Sequence, residues 1–392
     1  MRVGIDASNL RDGGSTSHLV EVLRAAEPTE SDIDEVVVWA GSAVLGRLDE
    51  RPWLRKSAQP LLEQAANPYA DKRHVHRLYW QRFKLRTLAE EAGCDLLFVP
   101  GGMDNSGFRP FVTMSRNMLP FEPEEAARYG WSVPRLRLLL LRGLQMRSFR
   151  NADGLIFLTE YARTTVSRSA RATYPNTVVI PHGVSDRFLL APRPQLELSE
   201  YSTARPFRVL YVSTVDLYKH QWHVVEAVAR LRARGLPVSL DLVGPAYPAG
   251  MRKLAPHLEG RPELAEFIHY RGAVPYEALH SMYERADLKV FASSCENMPN
   301  ILLEAMMAGL PIACSRKGPM PEVLGEAGAY FDPDRPDEIA QAIETLARSR
   351  ETRAKYAAEA FERARAYTWR RCAGRTFAFL AETARGYRAQ GQ

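Results

Sequence analysis

The sequence predicts an α/β protein built from two doubly wound parallel sheets, one in each half of the chain. Three observations carry that prediction. Apolar strand-like runs alternate with longer segments of helical period along most of the sequence. The 392 residues exceed what one hydrophobic core usually organises. The alternation lapses at 191–206, where Pro192, Pro194 and Pro206 stand among polar residues without sustained periodicity, as in a linker. The expected domains are therefore 1–190 and 191–371, with a terminal helix over about 372–392 packing back on the first.

Composition narrows the class. A hydrophobic fraction of 46% with 25% charged residues is ordinary for a globular protein and excludes a disordered or fibrous chain. The longest aliphatic run, Leu138 to Leu141, is far short of the roughly 20 residues of a membrane-spanning helix. Residues 1–10 alternate like a strand and carry Asp6, unlike a secretory signal, so a cytoplasmic protein is expected. Cys94, Cys295, Cys314 and Cys372 show neither paired spacing nor matching histidines, so no disulfide framework or zinc site is indicated. The net charge of +6 suits anionic ligands such as sugar diphosphates, or an anionic membrane surface, and no nucleic-acid partner is expected.

In order along the chain, strands are expected at 2–6, 35–40, 96–100, 111–115, 154–159 and 177–181. The second half repeats the pattern at 207–213, 239–243, 268–270, 288–292 and 310–314, with helices between. After Asp332-Pro333-Asp334 two helical segments run to the end, broken near 367–369. Open parallel sheets bind ligands beyond the carboxyl ends of their strands, so the loops there are the places to look for chemistry.

The most informative loop is 293–311. A strand ends at Ala292, a polar loop presents Glu296, and a helix from about Pro299 carries Glu304 before Gly309 and Pro311 stop it. The helix N-terminus suits a diphosphate, and carboxylates beside it accept hydrogen bonds from sugar and ribose hydroxyls. The bland alternative is that Glu296 only complements the helix dipole while Glu304 lies on a solvated face.

This segment resembles the E-x7-E motif of glycosyltransferase family 4, whose members have the GT-B fold of two facing Rossmann-like domains with a cleft between them. Other stretches match in order. Ile180-Pro181-His182-Gly183-Val184 resembles the family's P-N-G-V turn, residues 315–333 its G-G-x-P-E-V…G-x-L-x-x-P segment, and Thr368-Trp369 its F-S-W helix. The resemblance implies that the first domain binds acceptor and the second a nucleotide-sugar donor. It implies that Glu296 bonds the donor sugar, Glu304 the ribose, and the backbone of Met298, Pro299, Asn300 and Ile301 the diphosphate.

The loop Val212-Ser213-Thr214-Val215-Asp216-Leu217-Tyr218-Lys219-His220 resembles the family's G-R-L-x-x-x-K-G loop, in which Lys219 would neutralise the departing diphosphate. Thr214 replaces the usual arginine and can donate only one hydroxyl bond where a guanidinium grips two oxygens. In the first half, Gly13 and Gly14 with His18 resemble the family's acceptor-side loop, and the G-x-G-x-x-G fingerprint of a dinucleotide site is absent. Asn117 stands where relatives often carry a histidine facing the donor sugar. As a member of the catalytic set it can position a hydroxyl but cannot act as a base.

Between Ala126 and Ala152 lie six arginines and no acidic residue. Such a helix either lies on an anionic membrane, through residues 128–150, or packs its leucines on the sheet while arginine stems cover the edge. Asp32-Ile33-Asp34 and Asp332-Pro333-Asp334 have D-x-D spacing but sit beside a strand and in a turn, and no metal or other cofactor is expected. The resemblance implies a retaining, metal-independent transferase moving a hexosyl unit, mannosyl among the candidates, from a nucleoside diphosphate sugar to a glycan or lipid-linked glycan. The alternatives are a GT-B epimerase or phosphorylase, and a partner that binds sugar nucleotides without transferring sugar.

Overall fold

The computed structural model describes residues 1–10, 14–66 and 73–390, which fall into two compact units. The first comprises residues 1–121, 137–183 and 368–392. Its parallel sheet contains β1 (Arg2–Asp6), β2 (Glu35–Ala40), β3 (Leu54–Ala58), β4 (Leu96–Val99), β5 (Phe111–Met114), β6 (Gly154–Phe157) and β7 (Thr177–Val179). The order is β3-β2-β1-β4-β5-β6-β7. Strand β3, reading Leu-Arg-Lys-Ser-Ala, was not expected. It is an edge strand with only Leu54 buried, so it shows neither an apolar run nor a clean alternation.

Beside these strands, the helix Trp369–Gln390 buries Cys372, Phe377, Leu380 and Ala384 and packs against the helix Gly14–Arg24. It comes so close to β6 that a Cβ on Gly154 would lie 3.0 Å from Phe379 and Thr383.

The second unit comprises residues 122–136 and 184–367. Its parallel strands are β8 (Phe207–Val212), β9 (Val238–Val243), β10 (Ile268–Tyr270), β11 (Leu288–Phe291), β12 (Ile312–Ser315) and β13 (Ala329–Phe331). The order is β10-β9-β8-β11-β12-β13, the 3-2-1-4-5-6 arrangement of a Rossmann sheet. Strand β13 is short and half-buried at the edge, and it too went unread in the sequence. The direction of winding reverses between β8 and β11, which sets the loops after those two strands side by side.

The boundary between units differs from the expected 190/191. Residues 184–190 pack with the second unit: Val184 donates to the Tyr367 carbonyl, Leu190 to the Met307 carbonyl, and Phe188 is buried edge-on against Tyr276 and Tyr283. The proline-containing stretch 191–206 is strapped to the same unit rather than free. Arg193 bonds the carbonyls of Glu284 and Ala286, and Arg353 bonds that of Leu196. The close approach fixes Gly309, at φ 61°, since a Cβ there would lie 2.6 Å from Pro192 N. The second boundary lies at 367/368, and residues 122–136 belong to the second unit although both flanking stretches belong to the first.

Candidate active site

At the β8/β11 switch point the two loops singled out from sequence meet. After β8, Asp216 accepts from Leu217 N (2.7 Å) and caps a short turn, Leu217–Lys219. His220 then takes a left-handed conformation (φ 52°) to enter the helix Gln221–Ala233. The turn delivers Lys219 to a position only 7% exposed, with its ammonium 4.9 Å from the Tyr218 ring centroid and paired with the Glu296 carboxylate. The chain positions 219 and 296 are far apart in sequence, and the Rossmann topology alone makes them neighbours.

The second loop is anchored by its own hydrogen bonds. Ser294 N donates to the Tyr218 carbonyl (2.8 Å), and the Ser293 hydroxyl donates to the Cys295 carbonyl (3.2 Å). The helix Asn300–Met307 follows, with Met298 and Pro299 buried at its entry. Asn300 N donates to the Met298 carbonyl (3.0 Å), so this N–H points back into the turn. Thr214 is half-buried. Its carbonyl accepts from the Gln221 side chain (2.9 Å), and its loop lies against Gly244, where a Cβ would come within 2.2 Å of Ser213 O.

Glu304 is not on a solvated face. It is 7% exposed, and its carboxylate accepts from the hydroxyls of Tyr283 (3.1 Å) and Tyr276 (3.4 Å). Burial pushes its carboxyl up to about 7, against the pull of Tyr283, Lys289 and Tyr276. Lys289, wholly buried in β11, is pushed down to about 7 by burial, an effect Glu304 opposes and Lys219 reinforces. Neither tyrosine nor Lys289 was singled out in the sequence. The lysine interrupting the apolar strand Leu288–Phe291 was the available signal.

The segment 122–136 supports this floor. Tyr129 donates to Asp216 (2.8 Å), and Arg128 grips Asp334 through two hydrogen bonds (3.0 and 2.8 Å). Ser294 donates to Glu125 (2.5 Å) and accepts from His220 Nε2 (3.0 Å). Burial, with Arg128, His223 and Lys317 nearby, lowers His220 to about 3 against the pull of Asp334, so its ring is neutral. The sequence did not reveal these partners, because nothing local ties 125–129 to 216 or 334.

Among the described residues, His220, His223 and Asp334 bring metal-ligand atoms within 4.8 Å of one another. All three are otherwise engaged: His220 Nε2 bonds the Ser294 hydroxyl, His223 Nδ1 lies 2.8 Å from the Pro333 carbonyl, and Asp334 is held by Arg128. In the other D-x-D triplet, Asp34 pairs with the chain's amino terminus and Asp32 with Arg385.

In the first unit, three sequence motifs converge on one buried cluster. His18 stacks on His182 at 4.4 Å and meets Trp369 edge-on at 5.8 Å. Burial, His182 and Arg116 hold His18 well below its ordinary range, so it is neutral, and its Nδ1 has no partner among the described residues. Gly183 admits the terminal helix, since a Cβ there would lie 2.3 Å from Trp369 N. Gly14 begins the helix that carries His18, and Gly13 lies outside the described residues. Asn117 is exposed and accepts from Leu119 N (3.1 Å), closing its own turn.

Two Rossmann-type units, the second with a lysine–glutamate pair at its switch point, give the chain the GT-B fold. Comparison with known proteins agrees. Residues 199–363, which lie within the second unit, match the family model described as Glycosyl transferases group 1.

Among relatives, the chain is 25% identical over 251 residues to the O-antigen chain mannosyltransferase B of Escherichia coli, covering 62% of this chain and 64% of that one. It is 29% identical over 233 residues to a GDP-mannose-dependent alpha-(1-6)-phosphatidylinositol monomannoside mannosyltransferase of Mycolicibacterium smegmatis, covering 55% and 58%. The matched stretches thus span less than two thirds of either relative. The crystal structure of Anabaena HepE in complex with UDP-glucose superposes with a TM-score of 0.68 over 99% of this chain and 100% of that one, at 19% identity. That likeness is one of fold.

Proposed function

We propose that this protein is a retaining glycosyltransferase that moves a hexosyl unit, mannosyl being favoured, from a nucleoside diphosphate sugar to a hydroxyl of a glycan or lipid-linked glycan. The observation that carries the reading is the Lys219–Glu296 pair at the switch point of a unit that matches the glycosyl transferases group 1 family. Relatives that are mannosyltransferases, one of them named for GDP-mannose, support the sugar class.

Chemically, the bond from the anomeric carbon to the diphosphate breaks, and the acceptor oxygen takes the same face of the sugar. The departing phosphate receives the acceptor proton, so no protein nucleophile is required. Lys219 opposes the charge that develops on the leaving diphosphate. Glu296 orients the lysine and accepts from sugar hydroxyls. Glu304, held between Tyr276 and Tyr283, accepts from the ribose. With Thr214 in place of an arginine, Lys219 and the dipoles of the helix Asn300–Met307 carry the charge compensation without a metal.

A binding partner without transfer is the second reading, favoured by Thr214 and by Asn117 lying exposed in a self-closed turn. The test is a screen of UDP-, GDP- and ADP-sugars by thermal shift, followed by product analysis of the stabilising donor with and without acceptor. Stabilisation by a GDP-hexose and acceptor-dependent release of GDP are expected. Donor binding with neither hydrolysis nor transfer would overturn the catalytic reading in favour of the second.

A further inference from the structure

Four leucines of the helix Val133–Asn151 are exposed rather than packed on the sheet. Leu136 is 69% exposed and Leu140 65%, and Leu139 and Leu144 are exposed with them. Positions 133, 136, 140 and 144 recur at spacings of three and four, so they form one stripe along the helix. Towards its end the helix buries Gln145, Ser148 and Phe149. Just before the helix stands Trp131, 99% exposed, with the Arg135 guanidinium 5.3 Å from its ring centroid.

A second helix of the first unit, Arg73–Phe83, has the same character. Val75 (61%) and Phe83 (60%) are exposed with Leu78 and Tyr79, and the Tyr79 and Phe83 rings lie 5.0 Å apart. The two helices flank one loop. Gln81 bonds the Met103 carbonyl (3.0 Å), Ser148 accepts from Asp104 N (2.9 Å), and Gln145 lies 3.1 Å from where a Gly102 Cβ would be. The steps from β3 to β4 and from β5 to β6 run in the same direction across the sheet, so right-handed crossovers put both helices on one face.

Neither helix contains an aspartate or glutamate, whereas Arg82, Lys84, Arg137 and Arg147 are exposed on or beside them. Soluble proteins rarely leave so much contiguous apolar surface in water. Exposed apolar residues with basic neighbours are the makeup of helices that lie on a membrane, and among the described residues no helix is long and apolar enough to cross one.

We propose that the helices Arg73–Phe83 and Val133–Asn151 form a docking surface for an anionic phospholipid bilayer. The leucines, Val75 and Phe83 enter the acyl boundary, and the arginine and lysine heads reach the phosphates along their own stems. Tyr79 sits at headgroup depth, where amphipathic rings concentrate. Lipid fits better than a protein partner because it offers acyl chains and a dense layer of negative charge together, matching two helices with exposed apolar and basic residues and no acidic residue. The assignment is independent of the transfer reaction.

The experiment is co-sedimentation of the full chain with vesicles of phosphatidylcholine, with and without phosphatidylglycerol. Binding is expected only with phosphatidylglycerol and should weaken with salt. The pair Leu140→Glu and Leu144→Glu, and separately Phe83→Glu, should lower it at least about tenfold. Each of Arg137→Gln and Arg147→Gln should lower it about fivefold. Circular dichroism and nucleotide-induced thermal shift should be unchanged in all variants, which separates loss of docking from loss of fold or of the donor site. Equal binding by wild type and variants would overturn the proposal. So would indifference to phosphatidylglycerol, or a wild-type dimer in light scattering that Leu140→Glu dissociates, since a second copy would then cover the face.

Discussion

Replacing Lys219 with methionine removes the partner of a carboxylate that has little water to fall back on. The lysine side chain is 8% and the Glu296 side chain 16% exposed. Breaking a fully buried pair from one side costs about 3–5 kcal/mol, and the residual exposure of Glu296 brings the expected loss to about 2–3 kcal/mol. Removing both charges, as Lys219→Met with Glu296→Leu, leaves no orphan and should cost no more than about 1 kcal/mol. Glu296→Leu alone, which orphans the more buried lysine, should cost about as much as Lys219→Met, so the double-mutant cycle should show about 3 kcal/mol or more of coupling, readable in urea unfolding of the four proteins.

The same variants separate stability from chemistry. The double variant stays folded, yet it should lose transfer by about 10²–10³-fold or more because nothing meets the charge on the leaving diphosphate. Additivity within about 0.5 kcal/mol would refute the ion pair. Near-normal turnover in a folded double variant would refute the role assigned to it.

Two further outcomes are expected. Glu304, pushed up to about 7 by burial, accepts from ribose more strongly as a carboxylate than as an acid, so donor affinity should fall as pH drops through about 7 and lose that dependence in Glu304→Gln. Titration calorimetry against GDP reads this. Because the folded protein holds that proton more tightly than the unfolded chain does, this group's stability contribution declines as pH rises from the ordinary carboxylate range through about 7. Arg353, wholly buried, donates to the Leu346 (2.5 Å) and Ala347 (2.7 Å) carbonyls near the end of the helix Pro336–Arg348 and secures Leu196. Arg353→Met should lower stability by about 2–4 kcal/mol, seen as a fall in Tm with donor affinity per folded molecule unchanged.

Sequence by itself determined the architecture wherever physics is local. The buried strands at 2–6, 35–40 and 207–212 read plainly because both faces of a parallel sheet are apolar, and Glu296 and Lys219 stood out because the loops after such strands resemble family motifs. Edge strands β3 and β13 escaped, since exposure removes the apolar pattern that marks a strand.

What only the tertiary structure decided is which groups meet. It turned Glu304 inward between Tyr276 and Tyr283, set Lys289 beneath the site, and brought Tyr129 to Asp216 and Arg128 to Asp334. It also decided which side of the leucine-rich helix faces out. Periodicity shows that a helix has an apolar stripe. Whether that stripe is covered depends on contacts made by residues distant in the chain, and those no local pattern encodes.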